Sequence, residues 1–405
     1  YLLNYITIVL FNVEFLRNRD WEQRKFEEML DKNDGVRRGP FGSALKKEIF
    51  VKNSDYVVYE QQNAIYDNYK TRYNITKEKF DELHKFSLKE NDFIMSGAGT
   101  IGRISRVPKG IKKGVFNQAL IRFRINNELT NPEYFLQFVR AENMQRKLTG
   151  ANPGSAISNL VPMSEVKKWE VFVPIKAEQK KLGSFFEQLD DTIALHQRKL
   201  TLLEQLKQSY LQLMCPQNKG NIPALRFAGF SEPWEQRKIR ELFTVTRGQV
   251  LAATKTKDKE TNNFIYPVYS SQTKNNGLMG FYDQYLFENA ITWTTDGANA
   301  GTVNFRKGKF YSTNVNGVLL SDKGFANKAI SEIINKIAWK HVSKVGNPKL
   351  MNNVMSEITV TIPFVEEQNK LSLLFEQLDD TIDLHKCMLD KLLELKLVFL
   401  RKMFL

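Results

Sequence analysis

Gly97-Ala98-Gly99-Thr100-Ile101-Gly102 spells G-x-G-x-x-G behind a strand-like run, Phe93–Met95, and a turn of that kind can cradle the phosphates of a dinucleotide. The chemistry requires the third glycine to open a helix whose N-terminus meets the pyrophosphate, with an acid about 20 positions on for the ribose. Here Arg103–Val107 reads as a further strand, closed by Pro108-Lys109-Gly110, and Phe116–Arg124 contains no acid. The matching window in the other half, Asp296-Gly297-Ala298-Asn299-Ala300-Gly301-Thr302-Val303, keeps a Gly-Ala and a Gly-Thr and loses the fingerprint. Both windows are expected to be turns between strands. No Walker-type phosphate loop, no nucleophile elbow and no H-E-x-x-H occurs. Cys215, Cys387 and the scattered histidines His84, His196, His341 and His385 offer neither a disulfide framework nor zinc-ligand spacing. No catalytic residue and no metal ligand is assigned, and a reducing cytoplasm is the expected compartment.

A second string, Asn131-Pro132-Glu133-Tyr134, is one proline short of the signature with which amino-methyltransferases hold a target amine, and no cofactor-binding glycine motif accompanies it. An asparagine cap followed by proline at the first helical position accounts for the same residues. Composition then points to binding. The 405 residues are 42% hydrophobic and 26% charged, which suits two or three folded domains and argues against disorder or a multi-span membrane protein. The opening apolar stretch, Tyr1–Phe15, is broken by Asn4, Asn12 and Glu14, too short to span a bilayer and a poor secretory signal. Lys and Arg number 59 against 45 Asp and Glu, and a net +14 favours a polyanionic partner.

The elements that position these residues come in duplicate. Glu187-Gln188-Leu189-Asp190-Asp191-Thr192-Ile193 returns unchanged at Glu376–Ile382, and Pro174, Glu178-Gln179, Leu182 and His196 recur at the same offset as Pro363, Glu367-Gln368, Leu371 and His385. Trp21-Glu22-Gln23-Arg24-Lys25 likewise returns at Trp234–Lys238. The chain therefore reads as an atypical N-terminal segment (1–20), a first lobe (21–173), a first spacer helix (174–216), a second lobe (217–362) and a second spacer helix (363–405). Short runs such as Phe93–Met95, Ala119–Ile125, Ala290–Thr294 and Val315–Leu320 predict strand-rich lobes, with helical stretches over Pro132–Met144 and Ala326–His341.

Each spacer carries one apolar seam in steps of four and three. The first runs Leu182, Phe186, Leu189, Ile193, His196, Leu200, Leu203, Lys207, Tyr210; its copy runs Leu371, Phe375, Leu378, Ile382, His385, Leu389, Leu392, Lys396, Phe399. A helix over Lys176–Met214 with a single seam needs a partner, and its own repeat is the obvious one. The histidines stand at the two seam midpoints, so antiparallel pairing in symmetric register brings the imidazoles face to face and makes them the layer that fixes register. The spacer segments Lys176–Met214 and Phe364–Leu405 together carry net −1, which leaves about +15 to the rest of the chain. Two basic lobes on a neutral spacer suit a split site on duplex DNA.

This plan resembles the specificity subunit of a bacterial type I restriction-modification enzyme. The likeness lies in the duplicated Trp-Glu-Gln-Arg-Lys and Phe-Glu-Gln-Leu-Asp-Asp-Thr-Ile strings, the Gly39-Pro40-Phe41-Gly42-Ser43 turn, Ser96–Thr100, Asp296-Gly297-Ala298 and Gly301-Thr302. The resemblance implies an α+β fold: two strand-rich target-recognition domains joined by two long antiparallel coiled-coil helices in a pseudo-twofold repeat. It implies a subunit without chemistry of its own. Each recognition domain reads half of a bipartite DNA site, the helices set the gap, and two methyltransferase subunits dock on them. S-adenosylmethionine belongs to those partners, and ATP and Mg to two motor-nuclease restriction subunits. Side chains suited to bases or phosphates are Arg37, Arg38, Lys46, Arg103, Asn117, Gln118, Asn152 and Ser155 in the first lobe. In the second they are Arg247, Gln272, Lys274, Asn275, Asn276, Thr295, Asn314, Asn316 and Lys349. The competing readings are a coiled-coil scaffold without a DNA role and a nucleotide-cofactor enzyme built on Gly97–Gly102.

Overall fold

The computed structural model describes residues 21–40, 42–150, 161–216, 220–271 and 274–404. They form two compact units, one holding the chain up to Leu195 together with Leu389–Leu405, the other His196–Met388.

The first unit contains β1 (Glu22–Lys25), β2 (Val36–Arg38), β3 (Tyr56–Tyr59), β4 (Tyr73–Ile75), β5 (Phe93–Ser96), β6 (Ile104–Arg106), β7 (Gly114–Phe116), β8 (Leu120–Phe123) and β9 (Glu170–Val173). They assemble as a four-stranded sheet β2-β8-β5-β6, a three-stranded sheet β4-β3-β7 and the pair β1-β9. Strands β5 and β8 are buried on both faces, which explains why their residues are apolar apart from Ser96 and Arg122. Phe93, Met95, Ile121 and Phe123 face a core with Phe26 and Phe135, while Ile94 and Leu120 face Val57, Tyr59 and Phe116 on the other side. The helical stretch expected over Pro132–Met144 is two helices, Pro132–Arg140 and Glu142–Leu148, parted at an extended Ala141. Gln145 makes the break tolerable, because its amide donates to the freed Val139 carbonyl at 2.6 Å and to Gly102 O at 3.0 Å. The asparagine cap is as expected, with Asn131 Oδ1 accepting from Tyr134 N–H.

The second unit contains β10 (Glu235–Lys238), β11 (Thr244–Arg247), β12 (Tyr266–Tyr269), β13 (Leu278–Tyr282), β14 (Phe287–Thr294), β15 (Val303–Ser312), β16 (Asn316–Leu320) and β17 (Thr359–Ile362). Six of them form one sheet, β11-β16-β14-β15-β12-β13, and β10 pairs with β17. Helix Lys328–Ala338 lies in the core with Ile291, Trp293 and Leu319.

The duplicated strings acquire a common meaning here. Each Glu-Gln-Arg-Lys run is a strand paired antiparallel with the strand that leads into the spacer helix, β1 with β9 and β10 with β17. The tryptophan before it then reaches the helix's first turn: Trp21 Nε1 donates to Glu178 Oε1 at 3.1 Å and Trp234 Nε1 to Glu367 Oε2 at 3.0 Å. The following glutamines donate to Pro174 O and Pro363 O. Lobe and spacer are thus bonded through the residues that repeat.

The spacer helices are Lys176–Leu213 and Val365–Met403. At 38 residues the first is roughly 57 Å long. Every seam residue is buried or half-buried. Within the first unit Phe185 meets Phe399 edge-on at 5.2 Å, and Leu189 and Ile193 pack with Leu392, so rising numbers meet falling ones and the pairing is antiparallel. Lys396 donates to Asp190 there, and the same bond recurs in the second unit between Lys207 and Asp379 at 2.7 Å. The seam lysines are therefore matched to the first aspartate of each repeated Leu-Asp-Asp.

His196 and His385 do face each other, Nδ1 to Nδ1 at 2.8 Å. One ring must carry its proton on Nδ1 and donate, while the other accepts, so the pair is closed only while at least one imidazole is neutral. Burial, then the neighbouring charges of His385 and Lys199, lower the pKa of His196. A lowered histidine pKa places its stabilisation above the unfolded value and removes it as pH falls through the folded one. We expect wild-type Tm to drop between pH 7.5 and pH 5, and the His196→Leu/His385→Leu double variant to melt higher at both values with that slope reduced. An identical slope in the double variant would assign the pH dependence elsewhere. Among the described residues no helix is long and apolar enough to cross a membrane.

Candidate nucleic-acid interface

At one end of each lobe, four backbone hydrogen bonds gather the same set of turns. In the first, Gly39 N–H donates to Leu120 O (3.0 Å), Asn117 N–H to Tyr59 O (2.9 Å), Gly97 N–H to Ala119 O (2.7 Å) and Gly102 N–H to Ser96 O (2.9 Å). In the second, Gly248 donates to Asn316 O (3.1 Å), Thr313 to Tyr269 O (2.9 Å), Thr295 to Val315 O (3.1 Å) and Gly301 to Thr294 O (2.9 Å). The ends of β2, β3 and β5 and the start of β8 thus correspond to the ends of β11, β12 and β14 and the start of β16. Gly102-Arg103, rather than Gly99-Thr100, is the counterpart of Gly301-Thr302; only the bonding pattern reveals that offset.

The glycine fingerprint is a turn between antiparallel β5 and β6, tied by Ser96 Oγ donating to Thr100 O and accepting from Arg103 N–H. No helix begins at Gly102, so no helix dipole is aimed at a pyrophosphate there and the glycine string is a strand-to-strand turn rather than a dinucleotide cradle. Among the described residues no group of three His, Cys, Asp or Glu side chains is placed to hold a metal ion.

The scaffold carries most of the polar residues singled out in the sequence. In the first lobe Arg38, Arg103 and Gln118 are exposed on it and Asn117 is half-buried, its Oδ1 accepting from Ala119 N–H. Lys46 is exposed in a neighbouring 3-10 turn. Arg37 is held by Asp34, Nη2 to Oδ1 at 2.9 Å. In the second lobe Arg247 and Asn314 are exposed and Asn316 is buried. Thr295 is also buried, its hydroxyl donating to Asp296 Oδ2 or Val315 O. Lys349 is exposed with Nζ 3.9 Å from Asp296. Asn275 and Asn276 are exposed in a left-handed turn, φ 50° and 51°. Asn152, Ser155 and Gln272 lie outside the described residues, as do the N-terminal segment 1–20 and the side chain of Lys274.

Two clusters, each built round a buried arginine, escaped sequence reasoning. Asp34 receives Arg37, Arg122 and Arg124, and Arg124 also grips Asp92 through 2.7 and 2.8 Å bonds. Burial opposes charge on Asp34, yet hydrogen bonds from Arg122 and Arg37 bring its pKa down to about 2. In the second lobe Arg306 is buried, stacks 3.8 Å over the Tyr269 ring and donates to Thr292 Oγ1 and Asn276 O. Burial lowers its pKa to about 10. Arg306 thereby fastens the 276 turn to the sheet. No spacing rule signals such contacts, which join residues far apart in the chain.

The family model for the type I restriction modification DNA specificity domain matches residues 18–205 and again 231–394. The chain belongs to that family. The specificity subunit is 29% identical over 224 residues to a putative type I specificity subunit of Mycoplasma pneumoniae, covering 55% of this chain and 79% of that one. It is 32% identical over 158 residues to the type I restriction enzyme MpnII specificity subunit of the same organism, covering 38% and 46%. The crystal structure of the type I restriction-modification system S subunit from M. genitalium superposes with a TM-score of 0.67 at 15% identity, over 96% of this chain and 97% of that one. A chain from a structure describing complex assembly and conformational transition of the type I system gives 0.52 at 14% identity, over 95% and 97%. The expected α+β plan, with a strand-rich lobe and a long helix each present twice, is the fold of the specificity subunit.

Proposed function

We propose that each lobe reads one half of a bipartite DNA sequence through its turn scaffold, and that the chain performs no catalysis itself. The observation that carries this reading is the identical four-bond frame, which holds an exposed arginine and an exposed carboxamide at matching places in the two lobes. Arg38 and Gln118 stand exposed there in the first lobe, Arg247 and Asn314 in the second. Side chains of these types are what base reading requires, Arg suiting guanine and Asn or Gln adenine. The basic balance supplies the phosphate attraction.

The spacer helices serve as the measure of the gap and the dock for two methyltransferase subunits. Leu202, Leu206 and Leu213 stand exposed along one helix beside the filled seam, as an uncovered apolar stripe would before a partner helix seats on it. S-adenosylmethionine then enters with those subunits, ATP and Mg with two motor-nuclease subunits, and the whole works in the cytoplasm. Deoxyadenosine N6-methylation mapped across a genome after co-expression with a cognate methyltransferase subunit tests the proposal. One split motif, with one half lost when either lobe is deleted, supports it; a stable complex that methylates nothing counts against it. Duplex binding should also fall on the order of 10³-fold between 50 and 200 mM salt if six or more phosphates are neutralised. A flat salt response would favour the scaffold without a DNA role.

A further inference from the structure

Val345 is the most exposed large apolar side chain among the described residues, at 90%. It tops the loop Ser343–Lys349, whose neck is closed by Ser343 N–H to Lys349 O (2.8 Å) and Lys349 N–H to Ser343 O (3.1 Å). Gly346, at φ +71° with open space where a Cβ would stand, turns the chain at the tip. The foot is bonded to the second lobe's turn scaffold: Gly297 N–H donates to Pro348 O at 3.0 Å and Leu350 N–H to Thr295 O at 2.8 Å. A loop fixed at neck and foot cannot fold back to bury its valine. The apolar tip is held out beside the turns of β14 and β16, with the exposed cations Lys344 and Lys349 on either side of it.

We propose that Val345 contacts the 5-methyl group of one thymine in the major groove, while Lys344 and Lys349 take flanking phosphates. The inference rests on the DNA-reading role given above and deepens it by naming a base. Valine has no donor or acceptor to offer, and the thymine methyl is the apolar group among the base edges of the major groove. Two lysines beside a lone valine match a methyl bracketed by phosphates better than they match an apolar protein surface, which would have to desolvate both charges.

The test uses the full chain in complex with its methyltransferase subunit and a duplex carrying the mapped motif. Each thymine of the second lobe's half-site is replaced in turn by deoxyuridine, which lacks only the methyl. One replacement should weaken binding about fourfold, the worth of one buried methyl. Val345→Ser should show the same loss on the thymine duplex and become indifferent to uridine at that position. Lys344→Ala should weaken all duplexes alike and lower the salt slope by about 1. A wild-type complex indifferent to uridine at every position overturns the proposal, as does a half-site without thymine or a Val345→Ser complex of unchanged affinity. Loss of the methyltransferase subunit from Val345→Ser overturns it in favour of a protein contact. A wild-type complex that binds no duplex removes the DNA-reading role itself, so the two failures are distinct.

Discussion

Gly248→Ala is expected to abolish reading by the second lobe alone, and Gly39→Ala to do the same to the first. A Cβ on Gly248 would stand 2.2 Å from the carbonyl oxygens of both Ser312 and Thr313, and one on Gly39 would stand 1.9 Å from Asn117 O. These are backbone atoms of the turn that carries Asn314 in one lobe and Gln118 in the other, so no rotamer change relieves the contact. Strand β11 or β2 has to back away, breaking the bond from Gly248 to Asn316 or from Gly39 to Leu120. The destabilisation is expected at about 3 kcal/mol, the upper end for overpacking, and confined to one unit. Amide hydrogen exchange of Gly248→Ala should rise over residues 244–249 and 312–317 and stay unchanged over 36–40 and 117–122. The methylated motif should lose definition in one half only. Loss of both halves from either variant would mean that the lobes do not read independently.

Glu367→Ala should be far more costly than Glu178→Ala, although the two glutamates occupy the same place in the repeat. Glu367 is 2% exposed and accepts Arg226 through two bonds of 2.9 and 2.6 Å together with the Trp234 indole. Removing it leaves a largely buried guanidinium and an indole N–H without their acceptor, a loss of about 3–5 kcal/mol. Glutamine is no remedy, because it restores an acceptor for the indole and still leaves the arginine uncompensated. Glu178 is half-buried and accepts from the Trp21 indole, so its loss should cost roughly 1–2 kcal/mol. Urea unfolding of the full chain, followed by tryptophan fluorescence, separates the two. Equal losses would show that the arginine pair adds nothing to the second unit.

The seam of the spacer helices could be read in full from residue types, down to the meeting of His196 and His385, because a heptad is a local pattern and an exact repeat supplies its own partner. Strands β5, β8, β14 and β16 were legible for a similar reason, as short apolar runs between turn formers. The break at Ala141 was not, since alanine favours helix and what makes the break tolerable is the Gln145 amide donating to the Val139 and Gly102 carbonyls. Arg37 illustrates the same limit at the site. Its type suits guanine or phosphate, yet Asp34 holds it in a cluster with Arg122 and Arg124.

Sequence alone therefore determined the duplicated plan, the two helices with their pairing and register, the basic lobes and the family likeness, all of which are written in periodicity, repetition and net charge. Tertiary structure alone decided which glycines are equivalent, why each tryptophan needs its glutamate, and which polar side chains face outward from the turns. Those features depend on hydrogen bonds and burial that form only in the folded chain, those of the tryptophans between residues more than a hundred positions apart, and no residue pattern records them.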